Sequence, residues 1–124
     1  MKSVLLVMAG GAIGAGMRYG IGRALPTSAG SWPWATFACN LIGGFAMGLL
    51  AGWLARMATG SHDLRLLLGV GVLGGFTTFS AFSLEMMAMI EKGQAVQSAI
   101  YALASVVLAL AALFGGLTLM RAIA

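Results

Sequence analysis

Charge is what this chain has least of. Of its 124 residues, seven are Lys or Arg and three are Asp or Glu. A soluble domain carries about 25% charged residues; the 8% here is too little to coat a globule in water. Cysteine is nearly absent, and the lone Cys39 excludes an internal disulfide and any multi-cysteine metal site. It reads as a small packing residue. The single histidine, His62, falls in a loop with no nucleophile beside it. No metal-ligand cluster or catalytic pair is visible, which argues against an enzyme. The net charge of +4 does not point to nucleic acid, because the basic residues are scattered along the ends of apolar stretches. There they suit interfacial anchoring and set the local field.

Apolar residues are what is abundant, at 60% of the chain. At ~20 apolar residues per crossing, this length suits about four crossings with short loops, in a single transmembrane domain spanning 1–124. The expected spans are about 2–25, 33–57, 64–91 and 95–120. The first stops at Pro26, and the second starts at Pro33, where proline suits a helix start. Lys92-Gly93 separates the last two. The N-terminal apolar stretch runs on as a full-length span with no polar cleavage region, so a membrane helix is expected there in place of a cleaved signal peptide. The fold class is therefore an all-α membrane protein with four transmembrane helices.

The third span carries a helix-breaking, hydroxyl-rich knot, Gly74-Gly75-Phe76-Thr77-Thr78-Phe79-Ser80-Ala81-Phe82. Lipid offers no partner to a freed backbone group, so a helix broken there survives only where it lines a cavity or is buried in protein. Unwound backbone at mid-membrane depth is a recurrent source of carbonyl oxygens for ions. The knot predicts a third helix broken mid-membrane and points to ion handling. The neighbouring Gly69-Val70-Gly71-Val72-Leu73-Gly74 matches a dinucleotide-binding pattern by chance, since that pattern has meaning only between a strand and a helix.

Glycines recur at four-residue spacing: Gly44, Gly48 and Gly52; Gly10 and Gly14; Gly16 and Gly20; Gly71 and Gly75. Such spacing lets helices approach closely. Four helices alone make a thin bundle, and an oligomer is the natural way to enclose a pathway. Four crossings put Lys2, Arg56, Arg65 and Arg121 near one membrane face and Arg18, Arg23 and Lys92 toward the other. This balance gives almost no positive-inside bias. Such a chain can insert in both orientations and pair antiparallel with itself.

Polar side chains within the spans form stripes. Thr36 and Asn40 share a face of the second helix, and Gln97, Tyr101 and Ser105 share one on the fourth. Phe79 and Phe82 lie on one side of the third helix, with Glu85 continuing it. The plain alternatives are interhelical hydrogen bonds worth about 0.6 kcal/mol each and ordinary aromatic packing. Taken together the stripes suggest a narrow, partly polar path. Asn40, Thr36, Tyr101 and Ser105 offer N–H or O–H donors, and aromatic ring edges carry partial positive charge. With Arg18 interrupting the first span, the path favours a small anion. Glu85 is the exception, a functional candidate as an intramembrane acid unless it snorkels or pairs with a base.

Over essentially its whole length the chain resembles the small fluoride channels called Fluc or CrcB. The resemblance rests on Gly10-Gly11-Ala12-Ile13-Gly14-Ala15 with Arg18-Tyr19, on Asn40-Leu41-Ile42-Gly43 with Phe45 and Gly48, and on the Gly74–Phe82 knot. It implies an antiparallel, dual-topology homodimer in the cell (inner) membrane, multi-pass, embedded in the lipid bilayer. Two fluoride pathways would each be built by both subunits and carry passive fluoride efflux. Carried over, Asn40 donates to fluoride, and Phe79 and Phe82 line the path with their ring edges. Tyr101 and Ser105 begin a polar track, with Thr36 and Glu85 near it and Ala109 standing where a further hydroxyl is expected. By the same resemblance, Arg18 would sit at the base of an aqueous vestibule, and the backbone carbonyls of Gly74 and Thr77 would hold a structural sodium ion at the dimer centre.

Two rival readings differ in kind. A four-helix, dual-topology multidrug or cation transporter needs a membrane-embedded acid, normally on the first helix, and residues 1–25 contain none. A non-conducting accessory membrane protein would use the glycine motifs for assembly alone.

Overall fold

The structure is a computed structural model that describes residues 1–123. Every regular element among the described residues is helical, with no strand. Four helical stretches are long and apolar enough to cross a membrane: Lys2–Ala24, Trp34–Leu54, Ser61–Glu91 and Ala95–Ala122. In chain order the elements are α1 (Lys2–Ala24), α2 (Trp34–Leu54), α3 (Ser61–Leu64), a π-helical stretch (Arg65–Leu73), α4 (Gly74–Phe76), α5 (Ser80–Glu91) and α6 (Ala95–Ala122). Two bounds depart from the sequence reading by three residues, and the others by two or fewer. The second helix ends at Leu54, before Met57, and helical backbone resumes at Ser61, before Leu64. Gly60, in the left-handed region at φ 78°, makes the turn that lets it resume early.

The helices pair through their glycines. α2 lies along α6, and α1 lies along the π-helical stretch and α4. A methyl group built on Gly48 would run into the Leu113 carbonyl and come within 2.9 Å of the Leu117 nitrogen. On the other pair, a methyl on Gly71 would lie 2.8 Å from the Gly10 Cα, and one on Gly14 would strike the Val72 carbonyl. Backbone therefore meets backbone at both seams, the geometry in which van der Waals contact holds membrane helices together. Gly16 and Gly20 behave differently. Nothing among the described residues comes within 4 Å of a methyl at either one, so their spacing serves no packing there.

Wide π turns usually occur singly and often at functional sites; here they continue from Arg65 to Leu73, directly before the knot. Helical backbone ends at Phe76, Thr77 is extended (φ −84°, ψ 160°), and helix restarts at Ser80.

The core sits toward one end of the bundle, where Phe82, Met89 and Tyr101 are buried beneath Trp32, Phe37 and Met86. Tyr101 is fully buried, with Phe82 5.0 Å and Trp32 5.3 Å away between ring centroids. Aromatic pairs of this kind contribute about 0.5–1.5 kcal/mol beyond area burial, and here they fix where the Tyr101 hydroxyl points. At the opposite end Lys2 Nζ meets Asp63 Oδ2 at 2.7 Å, tying the start of α1 to α3.

Candidate functional site

The site grows from one contact across 38 residues. Asn40 Nδ2 donates to the Thr78 carbonyl (3.1 Å), and Asn40 Oδ1 accepts from the Thr78 N–H (2.8 Å). A backbone N–H needs an oxygen and a carbonyl needs an N–H, so this reciprocal pair fixes the direction of the Asn40 amide. One of its two N–H groups remains for another acceptor. Thr78 Oγ1 in turn accepts from the Ala81 N–H (3.2 Å), doing the work of a helix cap for α5. Thr77 turns back instead, its N–H and its Oγ1 both donating to the Leu73 carbonyl at 3.0 Å.

These bonds open onto a groove of about 380 Å³ lined by Asn40, Thr77, Thr78, Phe79, Phe82 and Ser105. The two phenylalanines share it with ring centroids 5.7 Å apart, yet they differ sharply. Phe82 is 8% exposed and packs on Tyr101, while Phe79 is 78% exposed and projects away from the protomer. Ser105 Oγ is buried and has no hydrogen-bond partner among the described residues. Farther along, Ala109, Leu113 and Met47 line the groove, so its outer part is apolar.

Beside the groove, Glu85 meets two hydroxyls and no base. Thr36 Oγ1 donates to its Oε2 at 2.7 Å, and the Tyr101 hydroxyl donates to its Oε1 at 3.0 Å. The snorkelling or ion-paired Glu85 left open by the sequence is thus replaced by a carboxylate held between α2 and α6. Thr36 and Glu85 also line a second cavity of about 400 Å³, together with Arg18, Tyr19, Arg23 and Cys39. Tyr101, Glu85 and Thr36 are thus hydrogen-bonded in a polar thread that reaches the second cavity, and Ser105, one helical turn from Tyr101 on α6, continues it to the groove without a hydrogen bond of its own. Arg18, half-buried at the second cavity, donates its Nε–H to the Gly75 carbonyl at 3.1 Å.

Three participants escaped the sequence reading. Thr78 enters the sequence reading only as part of the knot, although a threonine three residues before an N–H at a helix start is a recognisable capping signal. Cys39 lines the second cavity as a buried thiol, and no sequence signal marks it. Trp32, which lies between the first two spans, packs edge-on against Tyr101.

A family model described as "CrcB-like protein, Camphor Resistance (CrcB)" matches residues 5–117. The chain belongs to the CrcB family. It is 58% identical over 123 residues to a protein of Phenylobacterium zucineum named fluoride-specific ion channel FluC, covering 98% of this chain and 97% of the relative. Proteins of the same name from Caulobacter vibrioides and Sphingopyxis alaskensis are 54% and 51% identical, each with 98% of this chain and 97% of the relative covered. As a CrcB-family chain with four apolar helices, it is a multi-pass membrane protein.

Proposed function

We propose that this protein is a channel for passive fluoride efflux and that its working form is an antiparallel homodimer. The observation that carries the proposal is the polar thread from Ser105 to Thr36, in a chain whose close relatives are named fluoride-specific ion channels. Their naming as channels also sets the family apart from enzymes.

Fluoride is small and strongly hydrated, so a path must replace its water with donors that bind neither too weakly nor too tightly. Asn40 keeps one N–H free, Ser105 has an unengaged hydroxyl, and the ring edges of Phe79 and Phe82 add weak positive potential. The hydroxyls of Thr36 and Tyr101 each have a single proton to give, and both protons are held by Glu85. An anion passing them must draw those protons from the carboxylate, which tempers its binding and favours release. Arg18 and Arg23, at the second cavity, raise the local anion concentration at its mouth.

The dimer reading is supported by what one protomer leaves uncovered. The groove with its polar residues is open, and the knot's Gly74 and Phe79 are both exposed at the protomer surface. Such groups facing lipid would be costly, and a second copy would cover them. In this reading the Thr77–Phe79 interruption is the mid-membrane break of the third span. The amide that would close a helical bond on the Gly74 carbonyl belongs to Thr78 and goes to Asn40; the one for Thr77 belongs to Ala81 and goes to Thr78 Oγ1. Both carbonyls lack that partner, and two protomers would offer four, a donor set that fits a sodium ion. Among the described residues no three His, Cys, Asp or Glu side chains gather, so backbone oxygen is the donor on offer. When bound, the ion supplies fixed positive charge between the two paths.

Liposomes loaded with fluoride and chloride, and opened to potassium by an ionophore, test the function. Fast fluoride release with chloride retained is expected. Verified dimers that release no fluoride would overturn the channel and favour the accessory role.

A further inference from the structure

We propose that Asn40 and Thr78 are positioning residues that hold the Gly74 and Thr77 carbonyls open for a monovalent cation, so that one asparagine serves both the anion path and the cation cradle. The inference rests on the sodium reading above.

In a helix each carbonyl accepts from the N–H four residues on. The Gly74–Thr78 and Thr77–Ala81 bonds are missing for a stated reason: a side-chain oxygen takes each amide first. Asn40 Oδ1 holds the Thr78 N–H at 2.8 Å, and Thr78 Oγ1 holds the Ala81 N–H at 3.2 Å. Three neighbouring carbonyls are satisfied, that of Phe76 not among them. Leu73 receives both the N–H and the hydroxyl of Thr77, Gly75 receives Arg18 Nε–H, and Thr78 receives Asn40 Nδ2–H. The side chains around the knot therefore quench three carbonyls and divert the donors of two others. In lipid no water can fill the gap, so the two diverted carbonyls are left with a demand that a cation meets.

The two levers separate in their chemistry. Thr78→Ser keeps the Oγ acceptor, whereas Thr78→Val has nearly the same shape without it, which lets the Ala81 N–H return to Thr77. Asn40→Leu keeps the side chain's approximate volume but removes the Oδ acceptor, which returns the Thr78 N–H to the Gly74 carbonyl. It should therefore weaken the cradle and disable the anion path together.

The test is the thermal midpoint of the purified dimer in detergent, titrated with sodium against a bulky organic cation, alongside fluoride efflux for each variant. Unaltered protein and Thr78→Ser are expected to share one half-saturating sodium concentration, with Thr78→Val shifted at least about tenfold higher, equivalent to about 1.4 kcal/mol. Asn40→Leu is expected to raise the half-saturating sodium concentration as Thr78→Val does, and to lose efflux. If Thr78→Val yields no dimer, Thr78→Ala removes the same acceptor without adding bulk. An unchanged half-saturation in either acceptor-less variant would overturn the proposal. So would an unaltered dimer that conducts fluoride with no sodium response, an outcome that leaves the channel standing. Absence of efflux from the unaltered dimer would instead mark failure of the channel reading itself.

Discussion

Glu85 shows how a single residue's partners decide its meaning. An acid within an apolar span is a functional candidate by default, and here two hydroxyls from different helices bind it while no base does. Tyr101→Phe deletes one donor with almost no change of shape and leaves the aromatic packing around Trp32 and Phe82 in place. Its fluoride efflux should fall roughly tenfold, the effect of about 1.4 kcal/mol on a barrier, with a smaller change in thermal midpoint. Efflux equal to the unaltered chain would remove Tyr101 from the path. Residue types and periodicity were enough to single out Asn40, Thr36, Tyr101, Ser105 and Glu85, because four-residue spacing on a helix is a local property. Which of them touch was not legible. The Thr36–Glu85 contact joins residues 49 apart and the Asn40–Thr78 contact joins residues 38 apart, so each depends on how whole helices pack.

Among the helices, small residues carry out two jobs that sequence spacing alone does not separate. Gly44, Gly48 and Gly52 face α6, and Gly10, Gly14, Gly71 and Gly75 join α1 to the third span. Gly16, Gly20 and Gly22 meet nothing among the described residues of the protomer. Gly48→Ala must push the α2 and α6 backbones apart, a strain of about 1–3 kcal/mol by analogy with overpacked cores. Gly22→Ala meets open space and gains helix propensity of up to about 1 kcal/mol. Unfolding in mixed micelles should rank Gly48→Ala well below the unaltered chain and Gly22→Ala level with it or above. Equal stability of the two variants would refute the seam. The early start of helix at Ser61 is of another kind: Gly60 turns the chain locally, but composition alone left that stretch as loop.

For the whole molecule the governing number is a charge balance of four against three across the membrane faces, and with it the proposed dual topology. Cys39 is the sole cysteine and is buried, so Cys39→Ser gives a background in which one new thiol reports topology. A thiol placed by Thr59→Cys, in the exposed turn before α3, should be labelled from outside the cell by an impermeant maleimide in roughly half the copies, as unbiased insertion predicts. Complete labelling or none would establish one orientation and sink the antiparallel pairing.

The sequence by itself determined the solvent of this protein, the number of crossings and the place where the third crossing loses its helix potential. Those follow from composition and short-range pattern: too few charges for water, enough apolar length for four spans, and Gly, Thr and Ser crowded into one segment. Only the tertiary structure decided what the knot does with its hydrogen bonds. The Thr78 N–H leaves Gly74 because α2 brings Asn40 alongside, the Arg18 side chain reaches Gly75 from 57 residues away, and Glu85 lies between hydroxyls of α2 and α6. A freed carbonyl in lipid must find a donor or a cation, and which one it finds is set by the neighbour that packing supplies.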